Sequence, residues 1–489
     1  MKKIAFALIF VFGLFAFSGC SDAFEFKQDL TNYAMEIEYN DEDKTLSVRQ
    51  TTDYVNSSDN TLDVVKFHLY ANAFREGAKA KVVSVQNEEI AYPNGKSFGN
   101  IEINSVSLSE KEAQYSIEGE DENIICVTLA ESLYPNESVI ITFSYTVTLA
   151  NINHRLGYGE NAINLCNFYP IACMYEDGDF VCDLYNSNGD PFYSDVADYN
   201  VEISYPNSFV LASTGNIVSQ QGDDITTTNI TAQCVRDFGM VLSQKFEQKS
   251  KVYDQRITLN YYYYDDENSD QTLNLIEQAM QFFETNIGKY PYSQVSVVET
   301  NFVHGGMEYP NIVLISDQVA DYETYTLCIV HELCHQWWYS VVGNNQFDYG
   351  WIDEGLTEFC TVYFFEKNSE YNRTMKDMIA SATQSYVTFA RVYESVQGEA
   401  DTSMNRALDQ FSTEPEYVYN TYVKGTLMFS SIYDTIGEKA FVKALKYYYE
   451  HNLYGIATPT IVIQCFSNGS GRNLRPIFES YLEGKVVIK

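Results

Sequence analysis

Positive charge is what this 489-residue chain has least of: 31 Lys and Arg stand against 67 Asp and Glu, a net charge of -36 with histidine neutral. So acidic a chain repels phosphate backbones and anionic headgroups, which excludes a nucleic-acid partner and leaves cationic solutes as the species it concentrates. Histidine is scarce too, six residues in all, so a pair at a meaningful spacing stands out. The ten cysteines show no close-set pairs of metal-site spacing, and no repeat period or low-complexity stretch is present. The apolar run Ile4 to Phe17, behind Met1-Lys2-Lys3, is too short to span a bilayer comfortably and has the form of an export signal.

What is there divides the chain in three. Residues 1-20 form the signal segment, and its end, Phe17-Ser18-Gly19-Cys20, is similar to the bacterial lipoprotein cleavage box with Phe17 in place of the usual Leu. Cys20 is then the lipidated first residue of an exported protein held on the extracytoplasmic face of a bacterial membrane by its lipid. An ordinary secretory signal or an N-terminal membrane anchor is the other reading. Residues 21-246 read as an antiparallel, two-layered β domain. Ile141, Phe143, Tyr145, Val147 and Leu149 alternate with Thr142, Ser144, Thr146 and Thr148, a period that buries one face and wets the other. Residues 247-489 form a second, mainly helical domain, entered through a strand containing Tyr261-Tyr262-Tyr263-Tyr264. Among Cys166, Cys173 and Cys182 a disulfide and free thiols are both open, while Cys334 and Cys360 read as small core residues.

The second domain contains His331-Glu332-Leu333-Cys334-His335. Leu327, Val330, Cys334, Trp337, Trp338 and Val341 recur at helical spacing, predicting a helix from Tyr325 to Val341 that Gly343 and Asn344 stop. On a helix His331 and His335 project from one face and can aim at one ion, with Glu332 beside it. A catalytic zinc takes three protein ligands, so a third donor is needed, and Glu354 follows after eighteen intervening residues. A second helix over Ile352 to Glu366 puts Glu354 in its first turn. Asp353 is read either as an orienting partner for a ligating histidine or as an N-terminal helix carboxylate. Glu358 reads as solvated or structural, and His68, His154, His304 and His451, without partner spacing, as surface or core histidines.

Upstream, between the predicted strands Gln294 to Thr300 and Ile312 to Ser316, lies His304-Gly305-Gly306-Met307-Glu308-Tyr309-Pro310. Two glycines let an extended backbone come close to a ligand. Gly305, Gly306 and Met307 therefore read as an edge that a peptide pairs with, and Glu308 as an anion for its ammonium.

Gly306-Met307-Glu308, the zinc signature with Glu354, and Tyr422-Val423-Lys424-Gly425 together resemble the aminopeptidase N and leukotriene hydrolase family of zinc metallopeptidases. Tyr290-Pro291-Tyr292 and Val235-Arg236-Asp237-Phe238 resemble further segments of that family. The resemblance implies a saddle-shaped β domain packed on a thermolysin-like catalytic domain, one zinc ion, and cleavage of single residues from peptides with a free amino terminus. It makes His331, His335 and Glu354 the zinc ligands, Glu332 the general base, Glu308 the amine-binding carboxylate and Tyr422 the tyrosine that steadies the transition state. It also places Asn167, in Asn167-Phe168-Tyr169-Pro170, on the segment by which the β domain reaches the amine site. Tyr309 and Tyr339-Ser340 depart from the family's usual residues, which leaves the preference for the first residue open. The family's large C-terminal helical domain is missing, so a more open cleft is expected. A thermolysin-type endopeptidase and a catalytically silent peptide-binding lipoprotein are the rival readings.

Overall fold

The computed structural model describes residues 26-264, 266-319, 321-398, 400-486 and 488. The signal segment and Cys20 lie outside them. In the N-terminal domain, strands β1 (Asn32–Asn40), β2 (Thr45–Val55), β3 (Asn100–Leu108), β4 (Lys111–Glu112), β5 (Ser138–Thr148), β6 (Ala197–Pro206), β7 (Asn216–Gln221) and β8 (Ile225–Val235) form one sheet. Its order is β7-β8-β6-β1-β2-β5-β3-β4. β5 shows why it forms: Ile141, Phe143, Tyr145 and Val147 are buried on one face. Smaller sheets cover that face, and Phe67, on the strand Leu62–His68, meets the Phe143 ring edge-on at 5.0 Å. The sheet is antiparallel except where β1 runs parallel to β6, from Asn32 opposite Asp198 to Glu38 opposite Ser204. A long excursion between the two strands permits that pairing.

The C-terminal half opens on a five-stranded sheet, β9 (Glu247–Tyr253), β10 (Ile257–Tyr263), β11 (Gln294–Thr300), β12 (Gly306–Met307) and β13 (Ile312–Ser316), in the order β9-β10-β11-β13-β12. Tyr261, Tyr262 and Tyr263 lie in β10 and are buried. The helices α1 (Ser269–Asn286), α2 (Tyr322–Cys334), α3 (Glu354–Lys367), α4 (Met375–Gln397) and α5 (Lys424–Ile436) follow. α1 buries Leu275, Ile276, Ala279, Met280 and Phe283, the stripe expected of a helix laid on a sheet. Among the described residues no helix is long and apolar enough to cross a membrane, and their nine cysteines are free thiols.

The boundaries of both helices differ from those the periodicity predicts, α2 running Tyr322–Cys334 and α3 Glu354–Lys367. α2 ends at Cys334, with His335 as its C-cap, rather than at Val341. The backbone turns there, Ser340 N–H donating to His335 O at 3.0 Å. A straight helix would carry Trp337 and Trp338 on adjoining positions of one surface. Instead Trp337 packs on Phe283 and Tyr290 while Trp338 stacks on Tyr448, so burying both rings breaks the helix. α3 starts at Glu354 rather than Ile352.

The halves are tied through buried polar groups. Arg236 is 1% exposed and donates to the backbone carbonyls of Ser194, Tyr339 and Gly455, joining the β domain to the loop after α2. A buried guanidinium with every contact an oxygen acceptor is costly to remove and leaves little freedom for hinge motion.

Candidate metal centre

α2 is started by Asp321, whose carboxylate accepts from Thr324 N–H at 2.8 Å. His331 falls in its last turn, and because the His335 backbone is still right-handed helical, the four-residue spacing holds across the helix end. The two Nε2 atoms face each other at 3.0 Å. Glu354, the first residue of α3, brings Oε2 to 3.2 Å from His331 Nε2 and 3.3 Å from His335 Nε2. A tetrahedral ion capping a triangle with such edges lies about 2 Å from each corner, the distance zinc takes to nitrogen and carboxylate oxygen. Among the described residues no donor reaches the buried Glu354 Oε2 in hydrogen-bond geometry. Burial alone raises the Glu354 carboxyl, but the two imidazoles outweigh it and hold the group below the usual carboxylate range, as an anion. Desolvated, convergent and mixed nitrogen and oxygen, the three donors fit a zinc ion.

The outer nitrogens of the imidazoles are also engaged. His335 Nδ1 lies 2.8 Å from Trp338 O, a contact that requires an Nδ1–H donor and leaves Nε2 with the lone pair. The turn that ends α2 delivers that carbonyl. His331 Nδ1 lies 3.2 Å from Glu358 Oε1, so Glu358, one turn beyond Glu354 on α3, reaches back to the site. Asp353 does not take this part. It accepts from Asn344 Nδ2 at 3.1 Å and Gln346 Nε2 at 2.9 Å, and burial, then the neighbouring Glu354, raises its carboxyl to about 7.

Glu332 projects beside the triad with Oε2 buried and without a partner among the described residues. Burial raises its carboxyl to about 7 against the opposing pull of His331 and His335, a value suited to taking and returning a proton near neutral pH. Its place explains one glycine of β12. A Cβ on Gly306 would sit 2.4 Å from Glu332 Oε1, so only glycine lets this edge strand pass the carboxylate. Two residues on, Glu308 is 3% exposed and accepts from Gln346 Nε2 at 2.8 Å. The same Gln346 amide group holds Asp353, which fixes both acids relative to α3. Burial, then Asp190, pushes the Glu308 carboxyl well up.

Tyr422 lies in a π-helical turn, Tyr419–Val423, that leads into α5. Such turns insert a residue and re-aim a side chain. α5 crosses α3 where Gly425 meets Gly355, so closely that a Cβ on Gly425 would lie 2.6 Å from Gly355 Cα. This crossing sets the Tyr422 ring nearly parallel to His331 with 6.2 Å between centroids. Burial, then Glu354, raises its hydroxyl pKa, keeping it a proton donor.

Gly305, Gly306, Met307, Glu308, Glu332 and Tyr422 line a single cavity of about 380 Å³ with His331 and Glu354. Asn167 lies away from it. Its amide donates to Asp237 and its carbonyl accepts from Tyr309, both within the buried junction of the two halves. Tyr309 and Tyr339 are fully buried and also absent from the cavity wall. Other residues line it too: Arg155, Asp190, Glu358 and Glu414, and His304 from the segment before the two glycines. Asp190, Glu308 and Glu354 each bring a carboxylate oxygen within 4.8 Å of the others. For His304 the only sequence signal was its place just before the two glycines.

The chain is similar to several known proteins. Residues 270–481 match the peptidase family M1 domain. Aminopeptidase 2 of Candida albicans is 22% identical over 278 residues, 54% of this chain and 28% of that protein. Aminopeptidase N of Lactobacillus helveticus is 25% identical over 226 residues, 44% of this chain and 26% of that protein. The chain thus spans less than a third of the length of these relatives. An M1 zinc metallopeptidase from Deinococcus radiodurans superposes with a TM-score of 0.64 at 16% identity, covering 94% of each chain. A variant of it bound to a Tyr-Ser-Ala substrate gives 0.64 at 15%, over 95% of this chain and 97% of that one.

Proposed function

From the match of residues 270–481 to the peptidase family M1 domain, we propose that this chain is a zinc-dependent aminopeptidase that removes single residues from the amino termini of peptides. The observation that carries the reading is the arrangement of charge in one cavity. Three donors suited to a divalent cation adjoin two further carboxylates, Glu308 and Asp190. Crowded anions of this kind are stabilised by positive charge at two places, one at the triad and one beside Glu308, and a peptide's ammonium is the second.

His331, His335 and Glu354 would hold one zinc per chain, and zinc bound there supplies Lewis acidity and a water acidified toward neutrality. The remaining steps belong to side chains of this chain. Glu308 pairs with the terminal ammonium and sets the register, so the first peptide bond lies beside Glu332. The edge formed by Gly305, Gly306 and Met307 supplies backbone groups for the peptide to pair with. Glu332 takes a proton from the attacking water and returns it to the leaving amine. The Tyr422 hydroxyl donates to the oxygen that gains negative charge, a contact useful chiefly in the transition state and therefore expressed in kcat.

The leader ending in Phe17-Ser18-Gly19-Cys20 supports export, with a lipid on Cys20 holding the enzyme to the outer face of a bacterial membrane. Fluorogenic peptides with free and acetylated amino termini, assayed with and without a zinc chelator, test the proposal. Free peptides are hydrolysed, acetylated ones are not, and chelation stops turnover until zinc is returned. Equal cleavage of acetylated peptides would replace this reading with an endopeptidase. No metal-dependent hydrolysis of either would replace it with a binding protein.

A further inference from the structure

Resting on the aminopeptidase reading, we propose that the part of the cavity walled by Glu414 receives the side chain of the peptide's first residue and selects a cationic one, lysine or arginine. That residue carries both the ammonium held by Glu308 and the carbonyl presented to the metal triad. Its side chain branches from the carbon between them, so it enters the wall that continues from Glu308 away from the triad.

The contacts trace that wall. Asp190 adjoins Glu308, its carboxylate oxygen within 4.8 Å. Arg155 Nη1 lies 2.7 Å from Asp190 Oδ1. The ring of the preceding residue, His154, meets His304 at 6.1 Å, and His304 Nδ1 lies 3.7 Å from Glu414 Oε1. Phe302, Val82 and Tyr185 line the same space and offer apolar surface to a run of methylenes.

The balance of charge along the wall decides what is accepted. Arg155 is the only lysine or arginine lining the cavity among the described residues, and its charge is spent on Asp190, with the guanidinium laid over the Phe192 ring at 4.8 Å. Among the described residues Glu414 has no lysine or arginine partner. Its oxygens accept from the Asn87 amide at 3.1 and 3.2 Å, and burial lowers the pKa of its other neighbour, His304, which favours the uncharged imidazole. Its side chain is 17% exposed, enough to be reached and shielded enough for its field to be felt. One uncompensated anion at the end of a partly apolar slot suits an amine or guanidinium on a flexible stem and repels an acidic side chain.

Steady-state hydrolysis of lysyl, arginyl, norleucyl and glutamyl aminomethylcoumarin amides tests this, norleucine matching the lysine stem without its charge. The wild-type enzyme should show kcat/KM for the lysyl substrate about tenfold above the norleucyl one, with the glutamyl substrate poorest. In Glu414→Gln, which keeps an acceptor for Asn87, the lysyl to norleucyl ratio should fall to near one. Glu414→Lys should move the preference toward the glutamyl substrate, and melting temperatures check that each variant is folded. A wild-type ratio near one, or a lysyl preference that survives Glu414→Gln, overturns the proposal. Hydrolysis of norleucyl amide without lysyl preference defeats this inference alone, whereas failure to hydrolyse any of the four defeats the aminopeptidase reading beneath it.

Discussion

Gly306→Ala would place a side chain where the Glu332 carboxylate already lies. The added Cβ would lie 2.4 Å from Glu332 Oε1, 2.5 Å from its Cγ and 2.6 Å from its Cδ, where ordinary contact begins at 3.4 Å. The strand is pinned to β13, Gly306 pairing with Ile315, so the flexible carboxylate gives way, by about 1 Å. A displacement of that size at a reacting group costs about a hundredfold in rate, or about 2.7 kcal/mol in the barrier. Saturating kinetics on a free aminoacyl amide should show kcat lowered by that factor, with zinc content and melting temperature close to wild type. Gly305→Ala is the comparison, because its Cβ would meet only Cys328 Sγ at 3.1 Å, which needs a shift of a few tenths of an ångström. It should stay within a few-fold of wild type. Equal kcat in the two variants, or a Gly306→Ala enzyme as fast as wild type, would refute the placing of Glu332 against the edge strand.

Glu332→Gln should remove turnover while zinc remains bound, read by metal analysis beside the rate, since the amide cannot accept the proton. Tyr422→Phe should lower kcat roughly a hundred- to thousandfold, the usual loss of one oxyanion donor, with KM changed much less. Away from the site, His68 is buried, stacks on Tyr70 at 4.6 Å, and has its pKa lowered to about 4 by burial. Its folded value lies below the unfolded value of about 6.5. Stability is therefore complete above that pH and falls as pH drops toward 4, at about 1.4 kcal/mol per unit. His68→Gln should flatten the dependence of melting temperature on pH between 6.5 and 4.5, and an unchanged slope would contradict the assignment.

Sequence pattern reached those features that depend on neighbours along the chain. The helix carrying His331 and His335, the α3 turn carrying Glu354 and the alternation in β5 are local, because periods of 3.6 and 2 are written in consecutive residues. The end of α2 was not legible. Trp337, Trp338 and Val341 keep helical spacing while tertiary packing draws the two tryptophans to different partners. Glu358 reads as solvated or structural, and its side chain is 38% exposed, but nothing along α3 shows that His331 Nδ1 lies across from it. Asp190 and Arg155 come from loops and Glu414 from the start of a short helix more than two hundred residues further on, brought together by the way the β domain sits on the C-terminal half, and no short motif encodes that meeting. Asn167 belongs to a segment that does reach the junction between the halves, but its amide is committed to Asp237 and Tyr309 there.

We propose that His331, His335 and Glu354 converge on one zinc ion. Metal analysis of the purified wild-type protein beside Glu354→Ala, after dialysis against a weak chelator, tests it most directly. One zinc per wild-type chain, and its loss from a Glu354→Ala protein that still melts cooperatively, is the predicted result; zinc retained at one per chain without Glu354 would contradict it.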